Sequence, residues 1–199
     1  GAVDLIFSAD NATTTINGGT ATEFATTLLT HKTNNRVSFT GINLSIDGTT
    51  VTTAQANNLT AATAGTVTTT VSDGDLDTLT GLNAKANAAL SVTVTDTAGT
   101  AAELNTVNAG TTSAINANAV VTIESSTASD LATLMTAAQD TNQFTNTSFV
   151  DLTTNGVTIT GGTTIDVTDL NNAISGTNTV ATGAVDLIFS ADNATTTIN

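Results

Sequence analysis

Residues 42–59 read Ile42-Asn-Leu44-Ser-Ile46-Asp-Gly-Thr-Thr-Val51-Thr52-Thr-Ala-Gln55-Ala56-Asn-Asn-Leu59. The first five alternate apolar and polar, the period of a half-buried strand. From Thr52 the period changes. Thr52 and Gln55 have the spacing of a capping box, in which the hydroxyl accepts from the N3 amide and the N3 side chain reaches back to the N-cap amide. Ala56 and Leu59 then supply the i, i+3 apolar face of a short helix. The stretch predicts a strand, a turn and a short capped helix.

The same unit recurs. Boxes or close variants begin at Thr20 (Glu23), Thr52 (Gln55), Ser72 (Asp75), Thr100 (Glu103), Thr127 (Asp130) and Asp166 (Asp169). The apolar residue three beyond the box-following position is Leu59, Leu79, Val107, Leu134 or Ala173, whereas the first box continues with Leu28 one place later. Alternating stretches precede most boxes: Val67-Thr-Thr-Thr-Val71, Leu90-Ser-Val92-Thr-Val94, Val121-Thr-Ile123 and Val157-Thr-Ile159. The steps between boxes range from 20 to 39 residues, which places loops of varying length on one side. A strand–helix coil of roughly 30 residues cannot bury its own apolar face, but stacked coils can add each strand to a growing parallel sheet. The predicted fold is an α/β solenoid, with short parallel strands alternating with short capped helices in stacked coils. The alternative is an all-β sandwich of short Thr-rich strands. Six helix starts favour the solenoid.

A longer repeat overlies this one. Gly1–Asn17 (GAVDLIFSADNATTTIN) recurs without change as Gly183–Asn199, a period of 182 residues. The expected organisation is one tandem unit over 1–182, made of about six strand–helix coils, with 183–199 the start of the next identical unit. Two other accounts stay open: an artificial overlap, or a terminal segment that completes a neighbouring subunit as a donated strand.

Composition narrows the function. Of 199 residues, 49 are Thr, 30 Ala and 21 Asn, with no Pro, Cys, Trp or Tyr. Disordered chains are low in hydrophobics and rich in Pro, Glu and Lys; here 39% of residues are hydrophobic and only 10% charged. Thr is β-branched and favours strands. Without Cys there is no disulfide framework, thiolate metal site or Cys nucleophile. Three basic residues against 17 acidic ones leave a net charge of -14, the wrong sign for binding nucleic acid. No apolar run approaches the length of a membrane span, so no membrane insertion is expected.

Few residues suggest chemistry. The segment Thr30–Arg36 holds the only His, His31, with Lys32 and Arg36. No spacing supplies a nucleophile and an orienting acid, and no enzyme activity is expected. These cations suit a helix C-terminus, where carbonyls are exposed. Asp73-Gly-Asp75-Leu-Asp77 places three carboxylates at alternate positions, like the first half of a calcium loop. Thr78 then stands where such a loop needs Gly, and Ala84 where it needs the closing Glu. Asp73, Asp75 and Asp77 are therefore the metal-site candidates, with calcium the only cofactor suggested. The competing reading makes Asp75 a box residue and sets Asp73 at a helix N-terminus. Thr pairs such as Thr93/Thr95 suit an ice-binding array, but unequal coil lengths argue against that. Sequons at Asn11, Asn43, Asn58, Asn146 and Asn193 arise freely in such a composition.

The phrases Gly99-Thr-Ala-Ala-Glu103-Leu-Asn-Thr-Val-Asn-Ala-Gly-Thr111 and Ser129-Asp-Leu-Ala-Thr-Leu134 resemble giant tandem-repeat cell-surface proteins of bacteria, adhesin-like in character. The nearest likeness is to the large repetitive surface proteins of marine cyanobacteria. It covers most of the chain and is largely compositional. It implies an extracellular or cell-surface location and a fibrous or adhesin-like role, and carries over no catalytic residue. The expected function is a structural repeat protein forming a surface fibre, stalk or sheath by end-to-end stacking of identical units. Its partners would be copies of itself, covalent or assembled. The alternative is an adhesin-type binding module using calcium or carbohydrate.

Overall fold

The computed structural model describes residues 15–138, 140 and 142–145, together with strands at 5–6, 157–159, 164–165, 187–189 and 197–198. Along the chain these residues form β1 (Leu5–Ile6), β2 (Thr15–Ile16), a π-helical turn (Glu23–Leu28) running into α1 (Leu29–Thr33), β3 (Val37–Ser38), β4 (Asn43–Val51), α2 (Thr53–Ala62), β5 (Val67–Val71) and α3 (Leu76–Leu79). There follow β6 (Ala88–Ser91), β7 (Ala98–Gly99), α4 (Ala101–Ala109), β8 (Ile115–Asn116), β9 (Thr122–Ile123), α5 (Ala128–Ala138) and β10 (Phe144–Thr145). The last four strands are β11 (Val157–Ile159), β12 (Thr164–Ile165), β13 (Leu187–Phe189) and β14 (Thr197–Ile198).

Every strand pairing among the described residues is parallel. Parallel neighbours need a crossover between them, and the short helices lie in several of those crossovers. The protein is thus a mixed α/β chain with parallel sheets. An antiparallel all-β sandwich is not the arrangement, because hairpin connections are replaced by helix-bearing crossovers.

The chain forms two compact units. The first comprises Gly1–Gly74, Gly81–Val92 and Ala109–Ser113. Its principal sheet has four strands in the order β2-β4-β5-β6. The Val67–Val71 alternation acts as its pattern predicts: Val67, Thr69 and Val71 are buried, whereas Thr68 and Thr70 are exposed. In β4, Leu44 and Ile46 point inward. The register then shifts between the pairs Ser45↔Thr68 and Thr50↔Thr70. Gly48 (φ +76°) sits within that bulge, in a conformation costly for residues with a Cβ. The box at Thr52 closes as expected, with Thr52 N donating to Gln55 Oε1 at 2.9 Å and Gln55 N to Thr52 Oγ1 at 3.3 Å. Helix α2 buries Ala56 and Leu59 completely, and a buried Leu side chain is worth about 1.5–3 kcal/mol.

The first helix ends in a Schellman motif. Arg36 N donates to His31 O at 2.9 Å and Asn35 N to Lys32 O at 3.0 Å. Asn35 takes the left-handed position (φ 56°). His31 and Lys32 occupy the last turn of α1, where cations meet exposed carbonyls. Lys32 Nζ also lies 5.9 Å from the centre of the buried Phe39 ring. The first box closes too, Thr20 N donating to Glu23 Oε2 at 2.7 Å. Phe24 is buried there, but Leu28 is only half-buried.

The second unit comprises Asp75–Thr80, Thr93–Asn108 and Ala114–Asn199. Its strands pair as β7 with β9, β8 with β10, β11 with β13, and β12 with β14. The box at Thr100 closes on Glu103. At Thr127 the shorter Asp130 carboxylate meets the Thr127 hydroxyl at 2.7 Å while Asp130 N donates back to that hydroxyl. Leu104, Val107, Leu131, Leu134 and Met135 are buried. The sixth box, Asp166 to Asp169, and Ala173 lie outside the described residues.

One predicted box is displaced. Asp75, not Ser72, caps α3, its Oδ1 accepting from Thr78 N at 2.9 Å. Asp and Ser cap about equally well, and it is Asp75 that holds the extended N-cap backbone (φ −78°, ψ 140°), so the helix starts three residues later. Ser72 instead donates its amide to Val51 O at 2.8 Å.

The repeated segment forms strands at equivalent residues in both copies: Leu5–Ile6 and Thr15–Ile16 correspond to Leu187–Ile188 and Thr197–Ile198. The first copy pairs with strands that follow it, Leu5↔Val37 and Thr15↔Asn43. The second pairs with strands that precede it, Leu187↔Val157 and Thr197↔Thr164.

Candidate functional site

The carboxylates at 73 and 75 each accept a backbone amide at a helix start. Asp73, in the first unit, accepts Thr53 N at 2.6 Å through Oδ2. Thr53 is the first residue of α2, and its amide is one of the donors that a helix leaves without an internal partner. Asp75, in the second unit, is the N-cap of α3. The Thr78 hydrogen bond holds its carboxyl below the usual range. Asp77 is exposed in the first turn of α3, where the helix dipole favours negative charge.

The role of Asp73 recurs at residues that local spacing does not single out. Asp96 Oδ2 accepts Leu76 N, the first amide of α3, at 2.6 Å. Ser126 Oγ accepts Ala101 N, the first amide of α4, at 2.9 Å. Thr49 Oγ1 accepts Ala21 N, next to the first box, at 2.9 Å. Each of these helix starts is closed twice: by its own box residue or cap, and by an oxygen from the next strand–helix segment. The closing residue stands one to four positions ahead of the next cap (Ser126 before Thr127, Asp96 before Thr100). That variability hides it from a spacing search.

A second set of bonds joins the turns that enter the strands. Buried Thr63 donates through Oγ1 to Ile42 O at 2.7 Å and accepts Gly65 N at 2.9 Å. Buried Thr111 repeats this, donating to Leu90 O at 2.8 Å and accepting Ser113 N at 3.1 Å. Asn87 Nδ2 donates to Thr63 O and Gly65 O, each at 2.9 Å. On the helices, Asn57 Nδ2 reaches Gly81 O and Asn105 Nδ2 reaches Asp130 O, both at 2.8 Å. Asn57 and Asn105 hold the same place, five after Thr52 and Thr100. Among the described residues, these Thr, Asn, Asp and Ser side chains therefore serve as lateral ties between successive segments.

One cavity, in the second unit, carries concentrated charge. It measures about 210 Å³ and is lined by Asp75, Asp77, Asp96, Glu103 and Glu124 with Leu76, Ala98 and Gly99. Three of these carboxylates are engaged on backbone amides: Asp75 on Thr78, Asp96 on Leu76 and Glu103 on Thr100. Among the described residues no three His, Cys, Asp or Glu side chains converge so as to hold one metal ion. Thr53 Oγ1, Thr69 Oγ1 and Asn105 Oδ1 are buried without a hydrogen-bond partner. No helix among the described residues is long and apolar enough to cross a membrane.

No protein-family model, curated protein or solved structure matches this chain.

Proposed function

We propose that the chain is a structural repeat protein: an α/β solenoid whose identical 182-residue units join end to end in an extracellular fibre, stalk or sheath. The observation that carries this reading is the repeated lateral bonding. Described strands pair in parallel, mostly with the next strand but one along the chain, and helix starts are capped by side chains from the following segment. Bonding of this kind has no natural end, because each segment both receives and supplies a cap. The acidic surface keeps neighbouring fibres apart. Resemblance to giant bacterial surface repeats supports the extracellular placement. The alternative, an adhesin module holding calcium, draws on the acidic cavity of the second unit.

Electron microscopy of native cell-surface material and of the purified chain tests the proposal. Parallel strands lie about 4.8 Å apart, so about six coils give an axial repeat of roughly 29 Å. A filament with both spacings is expected. A chain that stays monomeric at high concentration, with no fibre on the source cells, would remove the structural reading. A large rise in melting temperature on adding calcium would favour the adhesin module instead.

A further inference from the structure

We propose that a basic cleft in the first unit is a docking site for a second copy of this chain, which enters it with the acidic face of its second unit. The contact is lateral. It goes beyond the end-to-end reading and does not require it.

The chain has three basic residues, and all three stand between the last turn of a helix and the strand that follows. Lys32 is in the last turn of α1, Arg36 directly precedes β3, and Lys85 lies three residues before β6. Two of them share a cleft. Lys32 and Lys85 line a cavity of about 560 Å³ together with Thr40, Thr60 and Asn87. A cleft of about 520 Å³ adjoins it, sharing Lys32, Ala61 and Ala62. Among the described residues of this unit the carboxylates are placed elsewhere. Glu23 and Asp73 hold helix starts, Asp47 lies in the bulge of β4, and none of the three lines either cleft. The carbonyls at the end of α2, which a cation could otherwise serve, are taken by Asn87. Its Nδ2 donates to Thr60 O at 3.3 Å and to Thr63 O at 2.9 Å. Lys85 is exposed, so its ammonium group can meet an acceptor from outside.

The cleft is thus a local positive patch on a chain of net charge -14, and the chemistry that fits it is carboxylate. The same chain carries carboxylates in concentrated form. In the second unit Asp75, Asp77 and Glu124 are exposed around the acidic cavity of about 210 Å³. Lysine is a compact charge on a flexible stem and needs no fixed geometry from its partner, so it can reach into that cavity. Copies repel one another over the rest of an acidic surface, which leaves cleft against acidic face as the favoured register. The two surfaces differ, so the contact is heterologous: a copy that fills its neighbour's cleft leaves its own open to a third. Single exposed ion pairs contribute little, so several pairs at each contact, and many contacts in register, hold the copies together.

Sedimentation velocity of the full chain provides the test. Simple repulsion between chains of this charge would be relieved by salt. Docking of base into acid gives the reverse: self-association at about 20 mM salt that falls at least about fivefold at about 500 mM, where the screening length drops to a few Å. Lys85→Glu, and separately the double variant Asp77→Lys with Glu124→Lys, should each lose the association. An equal mixture of the two should regain it, because the reversed cleft then meets the reversed face. Lys85→Gln removes the charge without reversing it and should cut association at least about twofold, which keeps the test open if Lys85→Glu does not fold. Association that salt does not weaken, or that Lys85→Gln leaves at the parent level, would overturn the docking. So would a mixture that stays dissociated although each variant melts like the parent. Lysine-dependent binding of polygalacturonate without self-association would give the cleft to an acidic glycan and overturn it too. None of these results bears on the axial repeat of a fibre, so the end-to-end reading stands or falls separately.

Discussion

The Asp73 carboxylate accepts the Thr53 amide at 2.6 Å, tying the start of α2 to a residue twenty positions further along the chain. The neighbouring Asp75 serves a different helix, capping α3 through the Thr78 amide. Asp73 and Asp75 are each committed to a helix start, and to different ones.

Removing that cap should cost stability. Replacing an N-terminal capping side chain by Ala typically costs about 1 kcal/mol. Asp73→Ala should lower the urea midpoint accordingly, whereas Asp73→Asn, which keeps an acceptor oxygen, should lose less than half as much. Equal losses in the two variants would mean that the contact to Thr53 does not contribute.

Two threonine-to-valine changes should have opposite signs. Thr63 is buried and its hydroxyl serves Phe39 O, Ile42 O and Gly65 N. Thr63→Val takes the hydroxyl away from Ile42 O and Gly65 N, whereas Phe39 O keeps the Ile42 amide, at a cost of about 1–3 kcal/mol. Thr69 is equally buried in β5, but its hydroxyl has no partner. Thr69→Val removes an unsatisfied group at nearly constant shape and should stabilise by up to about 1 kcal/mol. Thermal melts of the two variants against the parent check both signs.

Gly65 marks a close approach between segments. A Cβ built there meets the Ile42 carbonyl and lies 2.7 Å from Asn43 N, backbone atoms that cannot swing aside. Gly65→Ala should therefore destabilise by about 1–3 kcal/mol, the usual cost of overpacking. A parent-like denaturation midpoint would show that the turn can shift to make room.

Acid should loosen two helix starts and the turn after α5. Backbone and side-chain bonds from Thr20 lower the Glu23 pKa, bonds to Thr78 lower that of Asp75, and Asn142 and Gln143 lower that of Asp140. A depressed folded-state pKa means stability that is present above the ordinary carboxylate range and lost as pH falls through the folded value. Asn at position 75 still caps but does not titrate. Asp75→Asn should thus flatten the acid limb of a urea-midpoint profile while leaving the neutral plateau near the parent. An unchanged acid limb would remove Asp75 from the account.

Much of the local architecture was legible in the residues. The boxes at Thr20, Thr52 and Thr100 and the basic end of the first helix rest on contacts within about five residues, and the Val67–Val71 alternation on the two-residue period of a strand. Such contacts leave a period in the sequence. The Ser72 box was misread because an equally good capping residue, Asp75, stands three positions later. Asp96 and Ser126 were missed because they act on helices many residues back, at no constant offset.

By itself, then, the sequence determined most of the element types, the recurrence of one 17-residue segment 182 positions on, and the absence of cysteine from these residues. Those follow from side-chain periodicity, identity and composition. Only the tertiary structure decided that every described pairing is parallel, which carboxylates close which helices, and that the two copies of the repeated segment pair in opposite directions along the chain. Those are relations between residues far apart in the chain, and loops of unequal length erase them from any local pattern.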